Sequence, residues 1–477
     1  MILIYIPSRR FYNMKYRLKG VYIFMEAIFR TSRKERVSFA LFMAGQALYN
    51  TLFNGFGQVF MTDMGITAAT VGTIFLLTRI FDAVNDPIFG GIMDRSHLKS
   101  GKFLPWLRMS IALLAVLTLA FFLLPGSIPT NSKIAWAAAV YVLYSIAYTI
   151  CDVPIFSMIS AITDQVQERV QIQSRNSMST FVAMLMLMLV VPVLYLKVGW
   201  AITALILVVP AVLMMIPMAR NAKERYLNKS EEPVTLKSMF HFIKNNRYLV
   251  LFFLGVLVMN MTNTAQSSIV YFATHNLGNP ELTAVLSLFL AIPALAVAAV
   301  LPHLTKRFDK FHIFIACIVG MIVMSVITFF VGYGSLPVFY GLTVLRGIFW
   351  GGMTVMTLMF TSDFIEYGEF KTSKRLQGTA YSIQTFICKL MTALSSAACM
   401  FVLAIAGFKS GAGAVQTETA KDAIWILFSV LPALGAFLSL LIFRKYKLRD
   451  KDVQLMAKAN AGDITRDEAE QAFSRPY

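Results

Sequence analysis

The chain has 477 residues, of which 57% are hydrophobic and only 14% are charged. A soluble protein of this length would carry about 25% charged residues. The composition therefore excludes an ordinary soluble enzyme or binding protein and indicates a membrane protein with many spans. The formal net charge of +18 does not indicate a nucleic-acid partner, because the basic residues are concentrated in particular loops between apolar segments.

The first 36 residues form a basic segment in which lysines and arginines surround short apolar patches. The apolar run from Met1 to Ile6 is too short for the core of a signal peptide. An amphipathic helix on the membrane surface is one interpretation of the segment. The plainer interpretation is that translation starts downstream, at Met14 or Met25, so that residues 1–13 or 1–24 are not part of the native protein.

Apolar windows of about 20 residues, the length that a helical span needs, recur along the rest of the chain. They start near residues 37, 67, 104, 134, 174, 200, 247, 281, 311, 337, 377 and 422. One long polar break, residues 221–246, follows the sixth window. The sequence therefore predicts an all-α membrane protein with twelve transmembrane helices in two six-helix bundles, residues 37–220 and 247–446, followed by a tail of residues 447–477.

Basic residues are concentrated in alternate loops. The loops after the even-numbered windows are rich in lysine and arginine, whereas the intervening loops hold little beyond Lys133, Lys197, Lys409 and Lys421. The positive-inside rule then places both termini, the first 36 residues and the middle loop in the cytoplasm.

Two carboxylates lie inside the second predicted span. Asp82 and Asp86 are four residues apart in an otherwise apolar segment, with Asn85 beside them. Ionisable groups within a span are costly and usually mark an ion or substrate pathway. On a helix the two acids share a face, roughly 6 Å apart, and cannot comfortably both ionise without a cation. Because hard cations prefer gathered oxygen ligands, the segment predicts a coupling-ion site for Na⁺ or H⁺ in a transporter.

Other charged residues lie in or at the ends of spans: Arg79, Asp152, Arg175, Arg346 and Lys389. Such residues can have a purely structural role, pairing only to hold helices together. We favour that interpretation for Arg79, as a partner of Asp82, and for Arg346. For the acid pair we favour function, because a structural ion pair needs no second acid one turn away.

Four segments resemble one known family. They are FDAVNDPIFGGIMD with the following GKFLPWL, YTICDVPIFS at 148–157, SDFIEYGEFK at 362–371 and TAYSIQTFICK at 379–389. In this order they resemble the glycoside–pentoside–hexuronide:cation symporters of the major facilitator superfamily, from about residue 37 to 447. The resemblance implies the major facilitator fold, alternating access and a multi-pass protein of the bacterial inner membrane.

The resemblance also assigns roles to individual residues. Asp82, Asn85 and Asp86 match the family's cation-site residues, and Thr149 matches the hydroxyl that completes that site, so these four would be the ligands of Na⁺ if sodium is the coupling ion. Asp152 and Arg175 match sugar-contacting positions, and Lys389 matches the lysine that links the cation and sugar sites. We count all three among the predicted substrate-binding residues.

Three positions depart from the family pattern. Gln46 stands where a sugar-binding acid is expected, and Phe156 and Thr354 stand where tryptophans are expected, with Trp350 one turn before Thr354. We count Gln46, Phe156 and Thr354 among the predicted substrate-binding residues. The cation machinery therefore looks intact, while the sugar pocket has changed.

The change at Gln46 has a consequence for charge. It removes one negative charge from the pocket while Arg175 and Lys389 remain, and arginine suits bidentate capture of an oxyanion. The hypothesis is an anionic sugar, either a hexuronide or a sulfonated sugar such as sulfoquinovose, imported with Na⁺ or H⁺. Sodium is favoured slightly, because a proton would not need Asn85 and Thr149 as ligands. The expected partners are the sugar, the coupling cation and membrane lipids, with no cofactor.

Other functions fit the same fold. They are an exporter, a lysolipid carrier, and a sugar sensor that binds without transport. A membrane enzyme is the weakest alternative, because the five histidines form no His-Glu-x-x-His set and there is no Gly-x-Ser-x-Gly or phosphate loop.

Overall fold

The computed structural model describes residues 13–18, 21–26, 30–96, 101–163, 166–225, 240, 243–244, 246–305, 307–372, 377–411 and 413–475. Within the basic N-terminal segment, strands β1 (Asn13–Leu18) and β2 (Val21–Glu26) pair antiparallel, with Leu18 opposite Val21. Residues 1–12 lie outside the described residues. From Arg33 onwards the described chain consists of helices and short connections.

The described residues of the N-terminal half form six helices, of which α1 and α2 are joined by a π-helical turn, Thr51–Gly55, into one stretch. The bounds are α1 Arg33–Asn50, α2 Phe56–Asp63, α3 Ala68–Arg95, α4 Leu104–Phe122, α5 Thr130–Ile162 and α6 Val166–Asn221. Ser32 caps the start of α1, and its side chain and that of Glu35 form a capping box, which satisfies backbone N–H groups that no helical carbonyl can reach.

The C-terminal half has a similar series, and a short 3₁₀ turn, Asn260–Asn263, interrupts its first span. The bounds are α7 Arg247–Met259, α8 Thr264–Tyr271, α9 Leu282–Leu304, α10 Lys310–Val331, α11 Leu336–Thr372, α12 Gln377–Ile405 and α13 Glu418–Phe443. Two short helices, α14 Asp450–Ala461 and α15 Arg466–Ala472, follow the last span.

The described residues contain ten helical stretches that are long and apolar enough to cross a membrane. One of them, Gln171–Asn221, is interrupted at Gly199, whose φ of 78° is open mainly to glycine, so it supplies two spans. The stretch from 33 to 63 supplies one more. The predicted all-α membrane fold with twelve spans is therefore confirmed. The two strands precede the first span, and Gly199 separates the fifth span from the sixth.

The two halves meet on the side of the molecule away from the ends of the chain. There a continuous cluster of buried apolar side chains includes Phe60 and Phe121 of the first half together with Phe272 and Phe428 of the second. The backbone N–H of Gly411 also donates to the carbonyl of Thr62 at 2.8 Å. We call this side the closed side.

The side that carries the ends of the chain, the terminal side, is different. A second apolar cluster of the molecule lies here. It is formed by residues of the C-terminal half, such as Phe252, Phe314 and Phe360. The segment after the last span is anchored to this half, because Lys310 lies 3.3 Å from Asp450 at the start of α14 and 2.6 Å from Asp363 at the end of α11. The C-terminal tail, residues 447–477, thus begins with a helix that is anchored to the C-terminal half.

Candidate functional site

Three of the four predicted cation-binding residues form a hydrogen-bonded chain between α3 and α5. The side-chain amide of Asn85 donates to the Oγ1 of Thr149 at 2.9 Å, and that hydroxyl donates to Asp86 Oδ1 at 2.8 Å. Thr149 is fully buried. The chain places amide, hydroxyl and carboxylate oxygens together, and such oxygens are the ligands that a hard cation prefers.

Asp82 has different partners, although it lies only one turn from Asp86. It is 4% exposed, and it accepts a hydrogen bond from the hydroxyl of Ser145. Arg79 Nη1 lies 3.4 Å from the other carboxylate oxygen of Asp82. The sequence analysis considered this ion pair but missed Ser145. A signal was available, because Ser145 precedes Thr149 by four residues and therefore shares its helical face.

A small cavity lies beside Asp82. Its volume is about 10 Å³, which is about what one water molecule requires. Tyr141, Tyr144 and Tyr148 line it together with Arg79. Tyr144 also stacks on Phe53, with 3.7 Å between ring centroids.

Lys389 joins the predicted cation and substrate residues. Its ammonium group contacts Asp86 directly and lies 4.0 Å from Asp152 Oδ2. The other oxygen of Asp152 accepts a hydrogen bond of 2.8 Å from the side-chain amide of Gln46. Residues from α1, α3, α5 and α12 therefore form one polar network that runs from Gln46 through Asp152 and Lys389 to Asp86.

The charged residues of this network lie within the membrane-spanning helices, where each charge needs a counter-ion or hydrogen bonds. The side chains of Lys389, Asp86 and Asp152 are 16%, 22% and 17% exposed. Charged groups within a membrane-spanning bundle are stabilised mainly by each other and by hydrogen bonds. One lysine shared by two carboxylates can change its preferred partner when a cation or an anion arrives.

Three predicted substrate-binding residues lie outside this network. Arg175 is exposed, and its charge acts on Arg36 near the start of α1. Phe156 is 47% exposed, and Thr354 is exposed and donates to the carbonyl of Trp350 within its own helix. In the part of the chain described here, no hydrogen bond or ion pair joins these three to Asp152 or Lys389. Their roles remain predictions.

A second polar chain lies in the C-terminal half, and sequence reasoning missed most of it. Trp350 Nε1 donates to Asn263 Oδ1 at 2.8 Å, and Asn263 donates to Asn260 at 2.5 Å. Asn260 in turn donates to the carbonyl of Met391 on α12, two residues after Lys389. The available signal was the pair of asparagines inside an apolar span, where unpaired amides are unfavourable.

Comparison with known proteins shows the family. Residues 38–450 match the family model described as MFS/sugar transport protein. The uncharacterized symporter YjmB of Bacillus subtilis (strain 168) is 30% identical over 466 residues, which cover 92% of this chain and 97% of that relative. The isoprimeverose transporter of Lactiplantibacillus pentosus is 27% identical, with 89% and 90% covered. The glucuronide carrier protein homolog of Escherichia coli (strain K12) is 26% identical, with 82% and 87% covered.

Among solved structures, that of the nucleoside transporter NupG superposes with a TM-score of 0.66 at 16% identity, covering 87% of this chain and 100% of that one. This likeness supports the major facilitator fold. The family match confirms the predicted family and a transporter rather than an enzyme. The chain therefore belongs to the MFS/sugar transport protein family of the major facilitator superfamily, among its glycoside–pentoside–hexuronide:cation symporters.

Proposed function

We propose that this protein imports an acidic sugar or glycoside across the bacterial inner membrane together with a coupling cation, Na⁺ in preference to H⁺. The observation that carries the proposal is the position of Lys389, which contacts Asp86 in the cation chain and lies 4.0 Å from Asp152 in the substrate chain. A single side chain thus interacts with both sites and can couple binding at one to binding at the other.

The coupling follows from competition for Asp86. A cation bound between Asp86, Asn85 and Thr149 supplies the positive charge that Lys389 now provides to Asp86. Lys389 is then released towards Asp152 and the acid group of the substrate. The cation therefore raises the affinity for an anionic substrate, and by linkage the substrate raises the affinity for the cation by the same factor.

The contact between Gln46 and Asp152 supports an acidic substrate. An acid at position 46 would place a second carboxylate within 2.8 Å of Asp152, at the distance where the amide of Gln46 now donates. With the amide there, the substrate end of the network holds one negative charge fewer, and Lys389 is less fully neutralised. A carboxylate or sulfonate on the sugar would meet less repulsion than it would beside an additional acid, and Lys389 could donate to it.

The direction of transport is part of the proposal. The positive-inside rule places the terminal side in the cytoplasm. The residues of the C-terminal half that join the apolar cluster of the N-terminal half, among them Phe272 and Phe428, lie on the opposite side. This arrangement is that of an inward-facing transporter. Alternating access between the two bundles would then carry cation and sugar inward, down the cation gradient.

Uptake into proteoliposomes tests the proposal. Methyl glucuronide is compared with methyl glucoside, in which a neutral hydroxymethyl group replaces the carboxylate, with and without an inward Na⁺ gradient and with a proton gradient instead. We expect Na⁺-driven uptake of the glucuronide at least tenfold faster than that of the glucoside. Equal uptake of both sugars would refute the charge preference. Proton-driven uptake alone would change the ion, and binding without uptake would favour a sensor.

A lipid substrate is tested separately by thermal stabilisation. The purified protein is heated with a lysolipid or with the same sugars. Stabilisation by the lysolipid and by none of the sugars would replace sugar import by lysolipid transport.

A further inference from the structure

Arg346, in the first third of α11, is buried without a carboxylate partner in the described structure. It is 1% exposed and is the largest fully buried side chain among the described residues. Its Nη2 donates to the carbonyl of Phe428 at 2.7 Å, and the guanidinium lies 4.8 Å from the centre of the Phe428 ring. The Nε and Nη1 atoms have no acceptor among the described residues.

A structural role explains one of these contacts. Pro432 lies inside α13 and has no N–H, so the carbonyl of Phe428, four residues earlier, has no helical donor. Arg346 supplies that donor. A neutral amide could do the same, however, and would avoid burying a charge. The proline therefore explains a hydrogen bond but not the guanidinium.

The other cations deep in the spans behave differently. Arg79 faces Asp82, and Lys389 faces Asp86 and Asp152. A guanidinium held away from water with several N–H groups unsatisfied is strongly unfavourable. In the ranges that the structure describes, Arg346 has the charge and the unsatisfied donors that an anion site requires.

The location of Arg346 connects it to the substrate region. Arg346, Trp350 and Thr354 are spaced at four residues and share one face of α11. Thr354 is exposed, Trp350 is partly buried and Arg346 is buried, so exposure falls from the terminal side towards the closed side. Trp350 is linked through the asparagines of the 3₁₀ turn to α12 near Lys389.

We propose that Arg346 is an anion-binding residue of the C-terminal half, which takes either the acid group of the substrate or a free chloride ion on its unsatisfied N–H groups. With the substrate as source, this deepens the proposed function and rests on it: Lys389 and Arg346 would contact the sugar from two sides. With chloride as source, the site is independent of the sugar. Trp350 lies one turn away, towards the more exposed end of the same helix face.

The test uses the full-length protein in detergent and the variant Arg346→Gln, which keeps a donor for Phe428 and removes the charge. Binding of methyl glucuronide and methyl glucoside is measured by calorimetry in a chloride-free sodium buffer. If the anion is the acid group, the variant should bind the glucuronide about 10- to 100-fold more weakly, the range expected for a charge-assisted hydrogen bond. Its affinity for the glucoside should change less than about twofold.

The second arm measures the melting temperature against chloride concentration at constant ionic strength. If the anion is chloride, the melting temperature of the wild-type protein should rise with chloride, and that of Arg346→Gln should not. An unchanged sugar preference together with an unchanged chloride response in the variant would overturn the proposal and leave Arg346 with the structural role alone.

The sugar-binding and chloride experiments together distinguish a failure of this anion site from a failure of the proposed function. A wild-type protein without charge preference, but with a chloride response that requires Arg346, would refute the acidic substrate and keep the site. A preference that survives in Arg346→Gln without any chloride response would keep the function and refute the site.

Two further measurements keep the test decisive if Arg346→Gln fails to fold. Pro432→Ala, which restores the N–H for the Phe428 carbonyl, is combined with Arg346→Gln. If the anion is the acid group of the substrate, chloride should compete in the wild-type protein with methyl glucuronide and not with methyl glucoside. Absence of that competition together with absence of a chloride effect on melting would count against Arg346 without any variant.

Discussion

Lys389 on α12 contacts Asp86 on α3, although 303 residues separate them in the chain. The contact joins the two halves of the molecule within the membrane, and the same ammonium group lies near Asp152. It makes Asp86 both a candidate cation ligand and the counter-ion of a residue in the substrate region. Several expectations depend on this shared role.

Lys389→Met should abolish cation-coupled accumulation, because it leaves Asp86 and Asp152 without their common partner. We expect cation binding to become tighter, since Lys389 no longer competes for Asp86, while the affinity for the acidic sugar falls by about tenfold or more. Calorimetric titration of Na⁺ and of methyl glucuronide measures both changes. Lys389→Arg is the matched control that keeps the charge. Weaker Na⁺ binding in Lys389→Met would contradict the competition.

Thr149→Val should weaken Na⁺ binding by about tenfold or more, because it removes the hydroxyl that connects Asn85 with Asp86 and replaces it with a methyl group of similar volume. Thr149→Ser keeps the hydroxyl and should bind Na⁺ within about threefold of the wild-type protein. Sodium dependence of uptake in proteoliposomes is the measurement. Equal dependence in both variants would remove Thr149 from the cation site.

Asp82 can be a cation ligand or only the partner of Arg79. Asp82→Cys should abolish coupled accumulation in either case, because it leaves Arg79 without its carboxylate. The double variant Asp82→Asn with Arg79→Gln removes both charges together. If Asp82 is a ligand, Na⁺-driven uptake should stay lost in the double variant. Recovery of uptake to more than about half of the wild-type rate would assign Asp82 to the ion pair alone.

Gln46→Asp should weaken binding of the acidic sugar and favour the neutral one. The new carboxylate would lie beside Asp152 and repel it, so Lys389 would be drawn towards the two acids and away from the substrate. We expect the ratio of glucuronide to glucoside affinity to fall by about tenfold. Gln46→Asn, which keeps an amide, controls for the loss of size. An unchanged ratio in Gln46→Asp would show that position 46 does not set the charge preference.

Glu168 should make stability depend on pH on the acidic side. It lies at the terminal-side end of α6, before the membrane-spanning part, and accepts hydrogen bonds from Thr163 and from the backbone N–H groups of Arg30 and Thr31. Burial raises the pKa of Glu168, but these hydrogen bonds together outweigh it, and the pKa is lowered from its ordinary value of 4.5.

A carboxyl group whose pKa is lower in the folded than in the unfolded protein stabilises the fold at a pH above its unfolded-state pKa. This stabilisation is lost as the pH falls through the folded-state pKa. The melting temperature of the wild-type protein should therefore fall between pH 6 and pH 3, roughly the window around the ordinary pKa of a glutamate. Glu168→Gln should start lower and fall less. Parallel curves of melting temperature against pH for the two proteins would show that Glu168 does not cause this pH dependence.

How much of the site was predictable depends on the residue type. Asp82, Asp86, Asp152 and Lys389 stood out because charges in an apolar span need a reason. Ser145, Asn260 and Asn263 did not, because hydroxyls and amides are common in such helices and become meaningful only when a partner on another helix is known. The sequence analysis assigned Arg346 to structure, and only the geometry left its Nε and Nη1 without an acceptor.

The sequence by itself determined the class of the protein, because the length and spacing of apolar windows and the loop charges depend only on local composition and on the thickness of the membrane. Its motifs determined the family and the candidate cation residues. The tertiary structure decided which charges meet. The pairing of Lys389 with Asp86, the hydrogen bond from Gln46 to Asp152 and the isolation of Arg346 depend on the register and rotation of helices far apart in the chain, and no local pattern encodes these relations.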